Sequence, residues 1–151
     1  MARIPCVVKK DRDGYRPYVT FSILQPKFYI TVDACVDTGS PVTVLSPRDA
    51  LTTRLPLSAM RSGPTSSLAG FTFFRHDIGP VGLRFRTEDD KLLSVGLSSL
   101  SVLVPTKTHM DKETQKMIGI IPSLVGTDLL REQRWKFHYD PAGNESHLET
   151  P

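Results

Sequence analysis

The sequence predicts a mainly β protein built as one domain, and three observations carry that prediction. Apolar residues gather in short runs of β-branched and aromatic type. Pro, Gly, Asp and Ser bound those runs at close intervals. The chain of 151 residues, 39% apolar and 23% charged, is long enough to bury a core without a disulfide or metal staple.

The elements follow in order. The N-terminal segment is polar. Residues 18–24 (YVTFSIL) and 28–36 (FYITVDACV) each alternate and flank a turn at Gln25-Pro26-Lys27, which predicts a hairpin. Residues 42–45 continue as a third strand. Ser46 as N-cap, Pro47 at the first helical position and Asp49 in the first turn predict a short helix that ends before Pro56. Residues 58–67 are small and turn-forming and read as an exposed, mobile connection. Residues 68–76 and 81–86 read as strands of a second hairpin, joined through Asp77-Ile78-Gly79-Pro80. A charged turn at Glu88-Asp89-Asp90-Lys91 precedes an apolar stretch to Val104, taken as a strand pair. Residues 109–116 form a short helix or a loop, 120–125 a buried strand and 128–134 a short helix. Residues 135–139 and 146–149 form a last hairpin. No repeat or low-complexity tract interrupts this order.

Composition excludes several classes of function. Nineteen basic against 16 acidic residues give a net charge of +3, and Asp11 and Asp13 break the densest basic stretch, so no nucleic-acid partner is expected. No apolar run approaches the roughly 20 residues that span a bilayer, and no leader is visible, so no membrane partner is expected. Two cysteines, Cys6 and Cys35, without zinc spacing point to reduced thiols, a cytoplasmic location and no metal site. The sequon at Asn144 carries no weight without a secretory signal. Phosphate-binding glycine loops, the Gly-x-Ser-x-Gly elbow and His-Glu-x-x-His are all missing, which argues against kinase, serine-hydrolase and zinc-protease chemistry.

The informative segment is Ala34-Cys35-Val36-Asp37-Thr38-Gly39-Ser40 followed by Pro41-Val42-Thr43-Val44-Leu45. An acid leaves an apolar strand, sits in a tight Thr-Gly turn and is followed by a second apolar strand. A rigid strand pair holds such a carboxylate at the floor of a site, and Gly39 lets the backbone turn and donate an N–H to it. The Thr38 hydroxyl is expected to bond below that floor.

This segment resembles the aspartic proteases, whose signature is an apolar pair, Asp-Thr-Gly-Ser or Asp-Thr-Gly-Ala, then a short apolar strand. Downstream, Leu124-Val125-Gly126 with the helix that follows is similar to the element closing the lobe of retropepsin-like (retroviral-type) enzymes, and Leu68-Ala69-Gly70 is similar to the start of their flap. The likeness covers about residues 18–140. It implies a single-lobe retropepsin-like acid-protease barrel with one or two short helices, homodimeric, across a single domain of residues 1–151.

Asp-Thr-Gly occurs once, at Asp37, so the second catalytic aspartate must come from another copy of the chain, in an isologous dimer. Amide hydrolysis needs a base to activate water and an acid to protonate the leaving amine, and two carboxyl groups sharing one proton supply both. At about 4 Å and an effective dielectric near 20, two carboxylates repel by roughly 4 kcal/mol, which keeps one of them protonated. The resemblance assigns Asp37, Thr38 and Gly39 to catalysis without cofactor or metal. It assigns Ser40, Gly70, Phe71, Phe73 and Phe74 to a peptide or protein substrate. A hairpin over residues 71–81, with Phe73 or Phe74 near its tip, would be the flap, and Val42, Val44, Leu68 and Leu124 would shape side-chain pockets.

The chain also departs from viral members. Pro41 and Thr127 replace the acid and arginine that pair near the viral dimer contact, and residues 58–67 and 107–119 are longer than the viral connections. The closer likeness is to cellular or prokaryotic members. Asp128 is read as a helix cap, His138 and His147 as a surface pair across the last hairpin, Trp135 and Phe137 as core or dimer-interface residues, and Cys35 as a small apolar residue. The competing function is a catalytically silent dimerisation or peptide-binding module on the same fold.

Overall fold

The computed structural model describes residues 1–11, 14–25 and 28–151, with Phe28 described by its backbone alone. The polar N-terminal segment forms β1 (Arg3–Pro5) and β2 (Val7–Asp11). Ile4 is 1% exposed, and its burial in the main core docks the short first strand. β2 pairs with β3 (Gly14–Gln25), and β3 pairs with β4 (Phe28–Val36), setting Phe21 opposite Val32 and Ile23 opposite Ile30. Alternation therefore produces the expected first hairpin, lengthened at its start. The expected turn residues Pro26 and Lys27 lie outside the described residues.

Only Val44–Leu45 of the third strand pairs, as β5, and helix α1 (Pro47–Ala50) follows. Ser46 is its N-cap by position, but its hydroxyl does not cap; the Asp49 and Ala50 N–H groups donate to the Ser46 carbonyl. After a 3₁₀ turn at Leu57–Met60, the chain forms β6 (Thr65–Leu68) and β7 (Phe71–Ile78). The stretch 58–67 is thus not a connection throughout, because its last three residues pair with β7. Ala69 and Gly70 join the two strands with φ of 52° and 82°, the two left-handed residues of a type I′ turn.

The hairpin expected across Asp77–Pro80 does not form. β7 has β6 on one edge and β10 (Leu100–Pro105) on the other, so neither edge is left for β8 (Val81–Arg86). β8 instead pairs with β3 and with β9 (Leu92–Leu97). β9 and β10 are likewise not partners, since β10 lies between β7 and β5. Leu100–Val104 is buried on both faces, which explains a continuous apolar run where an amphipathic strand would alternate.

Helix α2 (Lys112–Gly119) begins at Asp111, whose carboxylate accepts from the Thr114 N–H at 2.7 Å. The buried strand expected over 120–125 shrinks to β11 (Leu124–Val125), and Ile120 is 52% exposed. α3 (Thr127–Gln133) ends on Arg134 at φ 57° and leads into the expected last hairpin, β12 (Lys136–Asp140) with β13 (Glu145–Glu149). The described helices number three rather than one or two, all short.

Two sheets result. The larger runs β6-β7-β10-β5-β11-β4-β3-β8-β9 with β2 added on β3; the smaller is β1-β13-β12. Leu83, Phe85 and Leu97 from one end of the large sheet share a core with Val102 and Val104 from near its other end, so the sheet curls around a common interior. Phe85 packs edge-on against Trp135 at 5.1 Å, placing Trp135 in this core. A second cluster joins Tyr18, Cys35, Val44, Phe73, Leu103, Ile118 and Leu124. Among the described residues no helix is long and apolar enough to cross a membrane.

Phe73 is 0% exposed within the second cluster, so it is a core residue and not a hairpin tip. Phe73→Ala is expected to lower unfolding free energy by about 3–5 kcal/mol in urea denaturation. A tip residue would change it by no more than about 0.5 kcal/mol.

Candidate active site

Asp37 follows the last residue of β4, and its backbone N–H donates to the Val125 carbonyl at 2.9 Å. The chain then turns: the Ser40 N–H donates to the Asp37 carbonyl at 3.1 Å, and the Gly39 N–H donates to Asp37 Oδ1 at 2.9 Å. That second bond is the one expected from the motif, and it aims the carboxylate. A Cβ on Gly39 would stand 3.1 Å from the same oxygen, so a side chain there would press on it. Thr38 is exposed at the apex of the turn rather than tucked below it.

The turn is bolted to the start of α3. β11 lies between the strands that flank the turn, parallel to β4 and antiparallel to β5, so Gly126 passes beneath the loop. A Cβ on Gly126 would meet the Val42 carbonyl oxygen at 2.3 Å and the Ser40 carbonyl oxygen at 2.8 Å; only glycine fits. The Thr127 N–H donates to the Ser40 carbonyl at 2.9 Å. Asp128 accepts from the Thr43 N–H at 2.9 Å, the Thr43 hydroxyl at 2.7 Å and the Leu129 N–H at 2.8 Å. Thr43 itself is fully buried, and its hydroxyl oxygen accepts from the Gly126 N–H. Asp128 is therefore a positioning residue and not the helix cap expected from the sequence: Gly126 holds the N-cap position of α3 with no side-chain cap, and Asp128, in the first turn, reaches across the chain to Thr43 instead.

A cavity of about 290 Å³ opens over Asp37. Gly39, Ser40, Val42, Val44, Leu68 and Leu124 line it, which brings Ser40 and all four expected pocket residues to the carboxylate. Gly70 and Phe71 do not line this cavity but a separate one, which shares no lining residue with it, and Phe73 and Phe74 line neither. Phe74 is half-buried against the main core, and the hairpin expected over 71–81 is not formed; the hairpin at this cavity is β6–β7, with its turn at Ala69-Gly70. Ser66, Ser67, Arg75 and Ser101 also line the cavity and were not anticipated. Arg75 Nε donates to Asp77 Oδ1 at 2.9 Å, and the Ser101 hydroxyl donates to the same oxygen at 2.7 Å. Alternation could have placed Arg75 and Asp77 on one face of β7; Ser101 arrives only through strand pairing.

The bonds from Arg75, then from Ser101, hold the Asp77 carboxyl below its ordinary value despite some desolvation. Burial pushes the Cys35 thiol up to about 11, and that of Cys6 to about 11, so both stay protonated at neutral pH. Cys35 thus serves as the apolar residue expected of it.

Among solved structures, the chain is similar to a retropepsin-like aspartic protease from Rickettsia conorii, with a TM-score of 0.54 and 17% identity over 97% of this chain and 87% of that one. At this identity the likeness is one of fold. No protein-family model and no curated protein sequence matches the chain.

Asp128→Ala leaves the buried Thr43 N–H without its partner, and a loss of about 2–4 kcal/mol is expected in chemical denaturation. Because the Asp77 carboxyl is depressed in the folded state, its stabilisation is present above the unfolded value near 4 and is lost as pH falls through the lower folded value. The Tm gap between wild type and Asp77→Asn should therefore narrow between about pH 6 and pH 3.

Proposed function

We propose that the chain is an aspartic endopeptidase, active as a homodimer, that hydrolyses peptide bonds with a water activated by Asp37 from two subunits. The observation that carries the reading is the Asp37 carboxylate itself: aimed by the Gly39 N–H, mounted on a loop bolted at both ends, and set at the floor of an open cavity beneath a β-hairpin. A turn that only reverses the chain has no need of a rigidly aimed, solvent-reachable carboxylate. The retropepsin-like fold supports the same assignment.

Chemistry follows from the pairing. One carboxylate takes a proton from water as it attacks the scissile carbonyl, while the protonated partner gives its single proton to the carbonyl oxygen. As the gem-diol collapses and the C–N bond breaks, the leaving amine takes the proton drawn from water and a gem-diol hydroxyl returns one proton to the dyad. Thr38 and Gly39 keep the two loops in register, and each chain alone lacks the second acid. The cleft suits an extended peptide. β6 ends the sheet order, so its outer edge offers N–H and C=O groups beside the cavity that Ser66, Ser67 and Leu68 line. The β6–β7 hairpin then acts as the flap, with Gly70 and Phe71 at its turn and Ser40 on the opposite wall.

The test is hydrolysis of a mixed peptide library from about pH 3.5 to 7.5 by wild type and Asp37→Asn, at concentrations that populate the dimer. A bell-shaped acidic profile is expected, abolished in Asp37→Asn, with specific activity falling on dilution as the dimer dissociates. No cleavage by a confirmed wild-type dimer would favour the silent peptide-binding module instead.

A further inference from the structure

The smaller sheet carries a cluster that peptide hydrolysis does not use. Antiparallel register sets His138 of β12 directly opposite His147 of β13, so both side chains leave the same face. Their rings stack with centroids 4.6 Å apart and planes 15° from parallel. Glu149 lies two residues beyond His147 and shares that face; its Oε2 is 3.7 Å from His138 Nε2. One donor atom from each of the three residues lies within 4.8 Å of the other two.

Two features separate this cluster from an ordinary surface pair. Nε2 of His147 is buried with no hydrogen-bond partner, a condition that folded proteins avoid. The Glu149 side chain is only 15% exposed, although no bond to a backbone N–H withdraws it from the cluster among the described residues. A cation accepting the imidazole lone pair would satisfy the first and neutralise the second.

We propose that His138, His147 and Glu149 bind a divalent transition metal of the zinc type, which clips β12 to β13 and leaves an outer coordination position to water. Two imidazole nitrogens and one carboxylate oxygen form a donor set that zinc takes in three-ligand open sites, whereas calcium and magnesium require oxygen donors throughout. Tetrahedral zinc with bonds near 2.0–2.1 Å needs donors about 3.3 Å apart. The observed stack holds the two ring planes nearly parallel, so binding requires at least one imidazole to rotate about its Cβ–Cγ bond and bring its lone pair toward the other donors. The charged residues in register around the site are Arg3 on β1, Lys136 and Asp140 on β12, and Glu145 on β13. Arg3 and Lys136, the Cα partners of Glu149, add positive potential that competes with the metal, while Asp140 and Glu145 add negative potential. Binding requires neutral imidazoles, so protons compete with the metal for the two rings.

The experiment titrates zinc chloride into the full-length chain at pH 7.5, reading stoichiometry by calorimetry and Tm with and without EDTA. One zinc per chain is expected, with Tm raised by about 5–10 °C at free zinc near 100 times Kd and restored by the chelator. His138→Ala and His147→Ala should each weaken binding at least tenfold, Glu149→Gln less, and exposed His109→Ala not at all. Removing the unpaired ring in His147→Ala should leave the metal-free Tm unchanged or higher; should that variant fail to fold, exposed His138→Ala supplies the readout. No binding at about 100 μM zinc, or binding that survives loss of both histidines, overturns the proposal and in the latter case moves the metal to donors such as Cys6 or Asp37. Zinc binding by Asp37→Asn keeps this result independent of the peptidase reading.

Discussion

The passage of Gly126 beneath the Asp37 loop is the constraint on which the rest of the molecule depends. Two carbonyl oxygens, from Ser40 and Val42, approach so closely that no Cβ fits between them and the strand below. That contact requires β11 to lie between β4 and β5, which in turn places the start of α3 under the loop. Backbone groups that a loop would leave to water are then satisfied internally, through Thr127 to Ser40 and Asp128 to Thr43. The result is a surface turn with the stiffness of a core element, and a carboxylate aimed by the Gly39 N–H.

Rigidity below contrasts with freedom above. The β6–β7 hairpin stands at the end of the sheet order, tied on one side only, and contributes small polar residues and Leu68 to the cavity. Its root is secured by Phe73 in the second core cluster and by the Arg75–Asp77–Ser101 bonds. A fixed acid under an anchored but one-sided hairpin is the arrangement on which the proposed peptidase reading relies to admit an extended chain and then exclude water from it. The terminal sheet is separate in construction: its inner face feeds Ile4 and Leu148 to the main core, and its outer face carries the histidine and glutamate cluster.

Local chemistry was legible wherever one short segment sufficed. Alternation located the β3–β4 hairpin, Pro47 opened α1, and the Asp140–Asn144 turn joined the last two strands. Reading went astray where two good local signals competed for partners. Gly79-Pro80 is sound turn chemistry, yet β7 already has both edges occupied and β8 finds β3 instead. Phe73 and Phe74 carried the same apolar signal as flap residues would, and only the pairing of β7 with β6 shows that the turn lies at Ala69-Gly70.

By itself the sequence determined the mainly β class, the order of most elements, and the identity and local hydrogen bond of the Asp37 turn, because these rest on residue types within a few positions of one another. The tertiary structure decided which strands are neighbours, that Asp128 braces Thr43 from 85 residues away, that Arg75 and Ser101 share the cavity with Asp37, and that His147 is left with an unpaired buried nitrogen. Those facts depend on register and on which edges remain free, and a strand's composition records how deeply it is buried without recording which partner buries it.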